Sequence, residues 1–315
     1  MRYRTLGTRG PMISELGFGA SPLGGIYGTF SEQDGIDAVH SALDVGINFL
    51  DVSPYYGLTA AETVLGKALR GIDRDRYVLA TKVGRYGDNV FDFSAARVAR
   101  SVRESMGRLG VRHIDLIQCH DVEFGSLDQI VEETIPALRG LQDSGLVRWV
   151  GITGYPLPAL LYIASRTGVD TVMSYCQYTL QDRRLAACAA DFTATGAAVI
   201  NASPLAMGAL TGRGAPPWHP APRGVRDLCA RAAALCQERG ASLEKLALQF
   251  SVATSPCVTT VVGSASSANI RRDVAWLSEP LDADLLADVE AVLAPVRDLG
   301  WLNGRAENQN PGRAS

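Results

Sequence analysis

The sequence predicts an α/β fold, a parallel (β/α)8 barrel of the TIM type preceded by a β-hairpin, as one domain over residues 1–315. Three observations carry this. Short apolar runs alternate with amphipathic helical stretches, eight of each. Helix start signals (Ser31, Ser94, Ser126) and stop signals (Gly46, Gly110, Gly145, Gly168, Gly196) fall between the runs. No GxGxxG opens a helix after the first strand, so the doubly wound alternative lacks its fingerprint.

The elements follow in order. Tyr3–Leu6 and Met12–Leu16 flank Gly7-Thr8-Arg9-Gly10-Pro11 and read as a hairpin closing the barrel bottom. Predicted strands are Glu15–Gly19, Asn48–Ser53, Tyr77–Val83, Ile114–His120, Val147–Thr153, Thr171–Cys176, Ala197–Ser203 and Thr259–Gly263. Predicted helices are Ser31–Val45, Ala60–Leu69, Ala95–Leu109, Leu127–Ser144, Pro158–Arg166, Arg183–Thr195, a pair within Arg223–Phe250, and Ser266–Trp276. The polar stretch from about Asn303 to Ser315 is expected to be a loosely ordered tail.

Composition excludes several classes. Hydrophobic residues make up 47% of the chain, ample for a core, and a net charge of -3 gives no case for nucleic acid or an anionic membrane. No apolar run is long enough to span a bilayer, and the start has no apolar signal region. Cysteines at 119, 176, 188, 229, 236 and 257 form no CxxC pair and read as free thiols in a reducing cytoplasm.

The chemistry is expected at the carboxyl ends of the strands. The basic residues are nearly all arginine; lysine occurs only at 67, 82 and 245. Lys82 lies in a run that reads as a buried strand, where an ammonium is costly unless paired. Asp51 ends the second strand, Tyr55-Tyr56-Gly57 follow it, and Cys119-His120-Asp121 end the fourth. An acid, a lysine, a histidine and a tyrosine thus converge on one mouth. An ammonium about 4 Å from a phenol stabilises phenolate by roughly 4 kcal/mol at an effective dielectric of 20. Lys82 is therefore expected to draw a tyrosine down toward neutrality, with Asp51 holding the lysine and His120 either orienting a substrate oxygen or sharing the proton.

Asp51-x4-Tyr56-Gly57-x4-Glu62, then Lys82, then His120, resembles the tetrad of the aldo-keto reductases. Gly17–Gly24, Cys119–Leu138, Ala202–Gly208 and Pro216–Pro220 are similar to the L-galactose dehydrogenase branch of that superfamily. The resemblance implies hydride transfer between a nicotinamide and a carbonyl carbon, with L-galactose or L-fucose-like aldoses oxidised at the anomeric carbon to the lactone. It makes Tyr56 the acid/base rather than Tyr55, with Lys82, Asp51 and His120 in support. Glu62 is read as structural. Thr153 takes the place of a hydroxyl that contacts the carboxamide, beside Gly154 where asparagine is usual. Tyr175 stands where glutamine is expected. The rest of the cofactor set is Ser203, Leu205 and Gly208 after strand seven, then Gly263, Ser264, Ser266, Asn269 and Asp273, where the phosphates would sit at a helix N-terminus. Relatives that prefer NADP carry cations where Gly263 and Asn269 stand, so NAD is favoured. Arg271 and Arg272 are the residues that would accept a 2′-phosphate and leave NADP open.

Substrate contacts are assigned to Tyr56, His120, Asp121 and Trp218, with Glu123 as a further carboxylate for sugar hydroxyls and Trp218-His219 in a Pro- and Gly-rich loop. No metal is expected. The partner is a small-molecule sugar, and the resemblance implies a monomer. Alternatives left open are a reductase or dehydrogenase for another carbonyl such as pyridoxal, a regulatory cofactor-binding barrel, and a lyase or hydrolase without nicotinamide.

Overall fold

In the computed structural model, residues 1–8, 10–25, 28 and 31–311 are described. The chain opens with the hairpin Tyr3–Thr5 (β1) and Met12–Ser14 (β2), paired antiparallel. Within its predicted turn, Arg9 lies outside the described residues. Leu16–Gly19 (β3), Glu32–Asp44 (α1), Phe49–Asp51 (β4), Ala60–Ala68 (α2) and Val78–Val83 (β5) follow. A small hairpin, Arg85–Gly87 (β6) with Val90–Phe91 (β7), precedes Ala95–Leu109 (α3) and Ile114–Cys119 (β8).

The predicted helix 127–144 is one run in three parts. Leu127–Gln129 (α4) passes through a π turn, Ile130–Thr134, into Ile135–Asp143 (α5). Pro136 has no N–H to return to the preceding turn, which is why the ladder widens there. Then come Val147–Gly154 (β9), Leu157–Thr167 (α6), Thr171–Tyr175 (β10), Arg184–Ala194 (α7) and Ala198–Ala202 (β11). Arg223–Glu238 (α8) and Leu243–Ala253 (α9) are separated at Gly240. Thr259–Gly263 (β12), Ser267–Leu277 (α10) and Ala283–Leu293 (α11) complete the order.

Eight parallel strands close in the order β10-β11-β12-β3-β4-β5-β8-β9, with β9 returning to β10. The predicted (β/α)8 barrel is what forms. Ser31, Ser94 and Ser126 cap their helices as expected, each accepting a backbone N–H three residues on. Leu6 and Ile13 of the hairpin pack on Phe49, Val78, Leu116, Met173 and Ile200 from inside the barrel, so the hairpin stoppers one end. Two larger apolar shells lie between strands and helices. All six cysteines are free, and five are buried. Among the described residues no helix is long and apolar enough to cross a membrane.

The expectation of a loose tail is corrected for residues 303–311. After α11 the chain runs back over the carboxyl ends of the strands as a strap. Asp298 accepts the Arg183 N–H at 2.7 Å, and Trp301 stacks on Tyr155 with centroids 4.4 Å apart. Asn303 donates to Glu123 Oε1 at 2.7 Å and to the Tyr175 hydroxyl at 2.9 Å. Asn308 donates to the backbone oxygens of Glu123 and Gly125 at 2.9 Å each. Gly304 sits so close that a Cβ would lie 2.4 Å from Glu123 Cγ, and its φ of +82° suits glycine. Polar composition misled because these amides have buried partners waiting for them. Residues 312–315 lie outside the described residues.

Candidate active site

Asp51, Lys82 and Gln118 point into the barrel from β4, β5 and β8, with Lys82 and Gln118 register partners. Lys82 is 1% exposed and Asp51 3%. The ammonium donates to Asp51 Oδ2 at 2.5 Å and to the Val52 carbonyl at 2.9 Å. The Gln118 amide donates to Asp51 Oδ1 at 3.0 Å. Burial raises the Asp51 carboxyl above its ordinary value, with Lys82 and Gln118 pulling back. The costly lysine is therefore paired and satisfied, as the sequence required.

Tyr56 follows β4 in a tight turn, its N–H donating to the Ser53 carbonyl at 3.1 Å. Gly57 fastens that turn against Gly24: a Cβ at Gly57 would fall 2.4 Å from the Gly24 oxygen. The Lys82 ammonium lies 4.8 Å from the centre of the Tyr56 ring. Tyr56 is closely surrounded by protein yet keeps part of its surface accessible at the mouth. Among the described residues its hydroxyl has no hydrogen-bond partner, which leaves it for a substrate oxygen.

The expected drop in the Tyr56 pKa is not found. Burial, then the Asp51 and Asp121 carboxylates, push the phenol well above its ordinary value, with Arg85 opposing. Burial is the largest cause, and the salt bridge leaves little to set against it. With Asp51 at 2.5 Å, the Lys82 charge is largely cancelled, and the phenol meets a dipole rather than a cation. Tyr56 is thus a protonated phenol here, a hydrogen-bond donor to whatever oxygen meets it.

His120 follows β8, edge-on to Tyr56 with ring centres 5.6 Å apart. Its Nδ1 lies 3.0 Å from Ser53 Oγ, which itself accepts the Tyr55 N–H at 3.1 Å. When Ser53 gives its hydrogen to Nδ1 the ring proton sits on Nε2, which among the described residues has no acceptor within hydrogen-bond distance. Burial lowers the imidazole to about 3; Asp121 resists, and Lys82 and Arg85 reinforce the drop. His120 is therefore a neutral donor across the working pH range.

The remaining expected contacts divide into two groups. A cleft of about 320 Å³ gathers Leu205, Gly263, Ser264, Asn269 and Asp273 with Arg272. Ser266 caps α10 beside it, accepting the Asn269 N–H at 3.4 Å, and Ser264 Oγ accepts the Ser266 N–H at 3.1 Å. Ser203 and Gly208 belong to the adjoining loop, both at positive φ. Thr153 and Tyr175 stand apart from this cleft, at the ends of β9 and β10 near the barrel mouth. Asp121 lies beside His120, its Oδ2 3.6 Å from Nε2. Trp218 is 52% exposed next to His219, which packs edge-on against Trp301 of the strap. Glu123 is fully buried, and burial with the Asp121 charge raises its carboxyl to about 8. It is fastened by the strap rather than open to a sugar. Glu62 is structural, bonded to Thr81 Oγ1 and Arg108 Nε at 2.6 Å each. Among the described residues no cluster has the makings of a metal site.

Sequence reasoning missed Gln118, Ser53, Arg85, Asn303, Arg213 and Glu244. Gln118 had a signal, its place in the layer of Lys82 on the next strand. Arg213 and Glu244 line the cleft from elements far apart in sequence.

A cleft that meets a helix N-terminus, with uncharged Gly263 and Asn269, serine hydroxyls and the flat face of Trp276, has the donor set that a dinucleotide's phosphates and adenosine require. The aldo/keto reductase family's sequence model matches residues 15–294. L-galactose dehydrogenase of Arabidopsis thaliana is 44% identical over 317 residues, covering 98% of this chain and 99% of that protein. D-threo-aldose 1-dehydrogenase of a Pseudomonas species is 29% identical, covering 91% and 96%. An aldo-keto reductase from Bacillus halodurans, solved in its holo form, superposes with a TM-score of 0.77 at 28% identity, covering 98% of this chain and 99% of that one.

Proposed function

The chain belongs to the aldo/keto reductase family and is an oxidoreductase, and from that premise we propose that it is an NAD-dependent aldose 1-dehydrogenase. Its substrate is L-galactose or an L-fucose-like sugar, oxidised at the anomeric carbon to the lactone. The observation that carries this is the buried Lys82–Asp51 pair set beneath an accessible Tyr56 hydroxyl and a neutral His120. Aldose-oxidising relatives supply the substrate class.

The residues share the work as follows. A nicotinamide, when bound, would supply the hydride acceptor for oxidation at the anomeric carbon. His120 donates from Nε2 to the anomeric oxygen and fixes its position. In reduction the Tyr56 phenol gives its proton to the carbonyl oxygen; in oxidation its phenolate form takes the proton of the anomeric hydroxyl. Lys82 and Asp51 hold the floor on which the phenol rests. Thr153 and Tyr175 face the nicotinamide end, while Ser203, Leu205, Gly208, Gly263, Ser264, Ser266, Asn269 and Asp273 hold the dinucleotide.

Preference for NAD follows from where the cations go. Arg271 turns toward α1, bonding Ser41 Oγ at 3.2 Å with Asp44 at 3.6 Å. Arg272 is paired with Asp273 at 3.1 Å and stacked 4.4 Å over Trp276. Glu244 and Arg213 also line the cleft; the Glu244 carboxylate would repel a 2′-phosphate, and Arg213 is the cation there that would attract one.

The test is absorbance at the reduced-nicotinamide band with L- and D-aldoses and pyridoxal, using NAD and NADP in turn. L-galactose and L-fucose with NAD should give the highest kcat/KM. Pyridoxal as the best substrate, or no aldose reducing either cofactor, would sink the aldose reading.

A further inference from the structure

A second polar pair stands at the mouth, and the tetrad does not use it. Arg85, at the start of the β6–β7 hairpin, donates from Nη1 to Asp121 Oδ2 at 2.5 Å. Its guanidinium lies 3.7 Å over the Tyr55 ring, with Phe91 and Phe124 at 5.4 and 5.6 Å. The Tyr55 hydroxyl reaches Asp88 Oδ1 at 2.9 Å and so pins the hairpin tip. The guanidinium is thus clamped between aromatic faces and cannot wander.

Its place relative to the reacting groups is close. The Tyr55 ring centre lies 5.8 Å from that of His120 and 6.0 Å from that of Tyr56, so Arg85 is one ring away from both. At each, its charge works against that of Asp121 beside it. The Arg85 side chain keeps 17% of its surface exposed. Among the described residues neither its Nη2 nor Asp121 Oδ1 forms a hydrogen bond. A free donor and a free acceptor therefore sit side by side, on a pair whose charges cancel.

We propose that Arg85 and Asp121 form a subsite for two neighbouring hydroxyls of the sugar ring, one accepting from Arg85 and the other donating to Asp121, with Arg85 determining specificity. The proposal rests on the aldose reading above. The cancelled charge selects a neutral diol over a carboxylate or phosphate, since an anion would have to displace Asp121.

The experiment is a cycle between side chain and hydroxyl. KM and kcat are measured with saturating NAD for wild type, Arg85→Met and Arg85→Lys, on L-galactose and its singly deoxygenated analogues. The NAD Kd is followed by fluorescence quenching. Arg85→Met should raise KM for L-galactose about 10- to 100-fold, with kcat within about threefold and the NAD Kd unchanged. One deoxy analogue should show the same KM with wild type and variant, because the contact is already gone. Arg85→Lys keeps the charge and the tie to Asp121, so it carries the cycle should Arg85→Met fail to fold. It should lose the same coupling, because a point charge cannot reproduce the fork. A fall in kcat with KM unchanged, or no coupling with any deoxy sugar, overturns the proposal. So does a preference of wild type for uronic acids or sugar phosphates. Oxidation of sugars without coupling defeats this subsite alone, whereas no oxidation of any aldose defeats the aldose reading and the subsite with it.

Discussion

Replacing Lys82 by methionine isolates what the buried pair contributes. The side chain keeps its length and loses its charge. Asp51, 3% exposed, is then left with the Gln118 amide as its remaining hydrogen-bond donor. At 2.5 Å and an effective dielectric of 20, the direct attraction lost is roughly 6 to 7 kcal/mol. Lysine no longer pays its own desolvation, so the net loss should be about 3–5 kcal/mol at pH 8. The sign of the pH dependence is fixed. Burial already raises the folded Asp51 carboxyl, and without Lys82 it rises further. The folded variant therefore binds a proton that the unfolded chain releases, and its deficit shrinks as pH falls through that folded value. Urea denaturation followed by far-UV circular dichroism at pH 5.5 and 8 reads both quantities. Lys82→Met combined with Asp51→Asn removes the stranded charge and should recover most of the stability. Neither variant should regain activity. A deficit independent of pH, or a double variant as unstable as the single one, would refute the reasoning.

Tyr56→Phe should lower kcat at least 100-fold while leaving the NAD Kd unchanged; activity within tenfold of wild type removes Tyr56 from the acid/base role. Because the phenol lies well above its ordinary pKa, oxidation, which needs the phenolate, should accelerate from pH 7 to 10 while reduction, which needs the phenol, stays flat, as initial rates in both directions will show. Protonation of His120, with its value near 3, should leave no acid limb above pH 5 in the same profiles. Glu123, raised to about 8, stabilises the fold fully below its unfolded value near 4.5, and that contribution fades as pH rises to about 8. Glu123→Gln should flatten this slope in urea titrations at pH 5 and 8.5; an unchanged slope assigns it elsewhere.

Most of the barrel was legible because a strand in a parallel sheet is buried on both faces and leaves a continuous apolar run. All eight predicted strands form within a residue or two of their expected ends. The tetrad was legible for a different reason: its residues fall at strand ends, where topology alone brings them together. What escaped notice depended on side-chain partners. Helix α11 carries Leu285, Val289 and Leu293 at helical spacing behind an Asp282 cap, a clear pattern outside the eightfold alternation. Hairpin β6–β7 is held by Arg85, Asp88 and aromatic faces, which no periodicity encodes. The Tyr56 pKa was misjudged because the cost of burying a phenolate was left out and Lys82 was counted as a bare cation, whereas its Asp51 partner is close enough to cancel it.

The strap has a consequence for how the protein is made. Asn303 and Asn308 meet Glu123 across 180 and 185 residues of sequence. The loop after the fourth barrel strand thus waits, during synthesis, for a segment that leaves the ribosome after all eight strands. Closing so long a loop costs entropy that only the finished barrel can offset. A nascent chain stopped near residue 300 can assemble its sheet yet leaves the Glu123 carboxyl without its Asn303 donor.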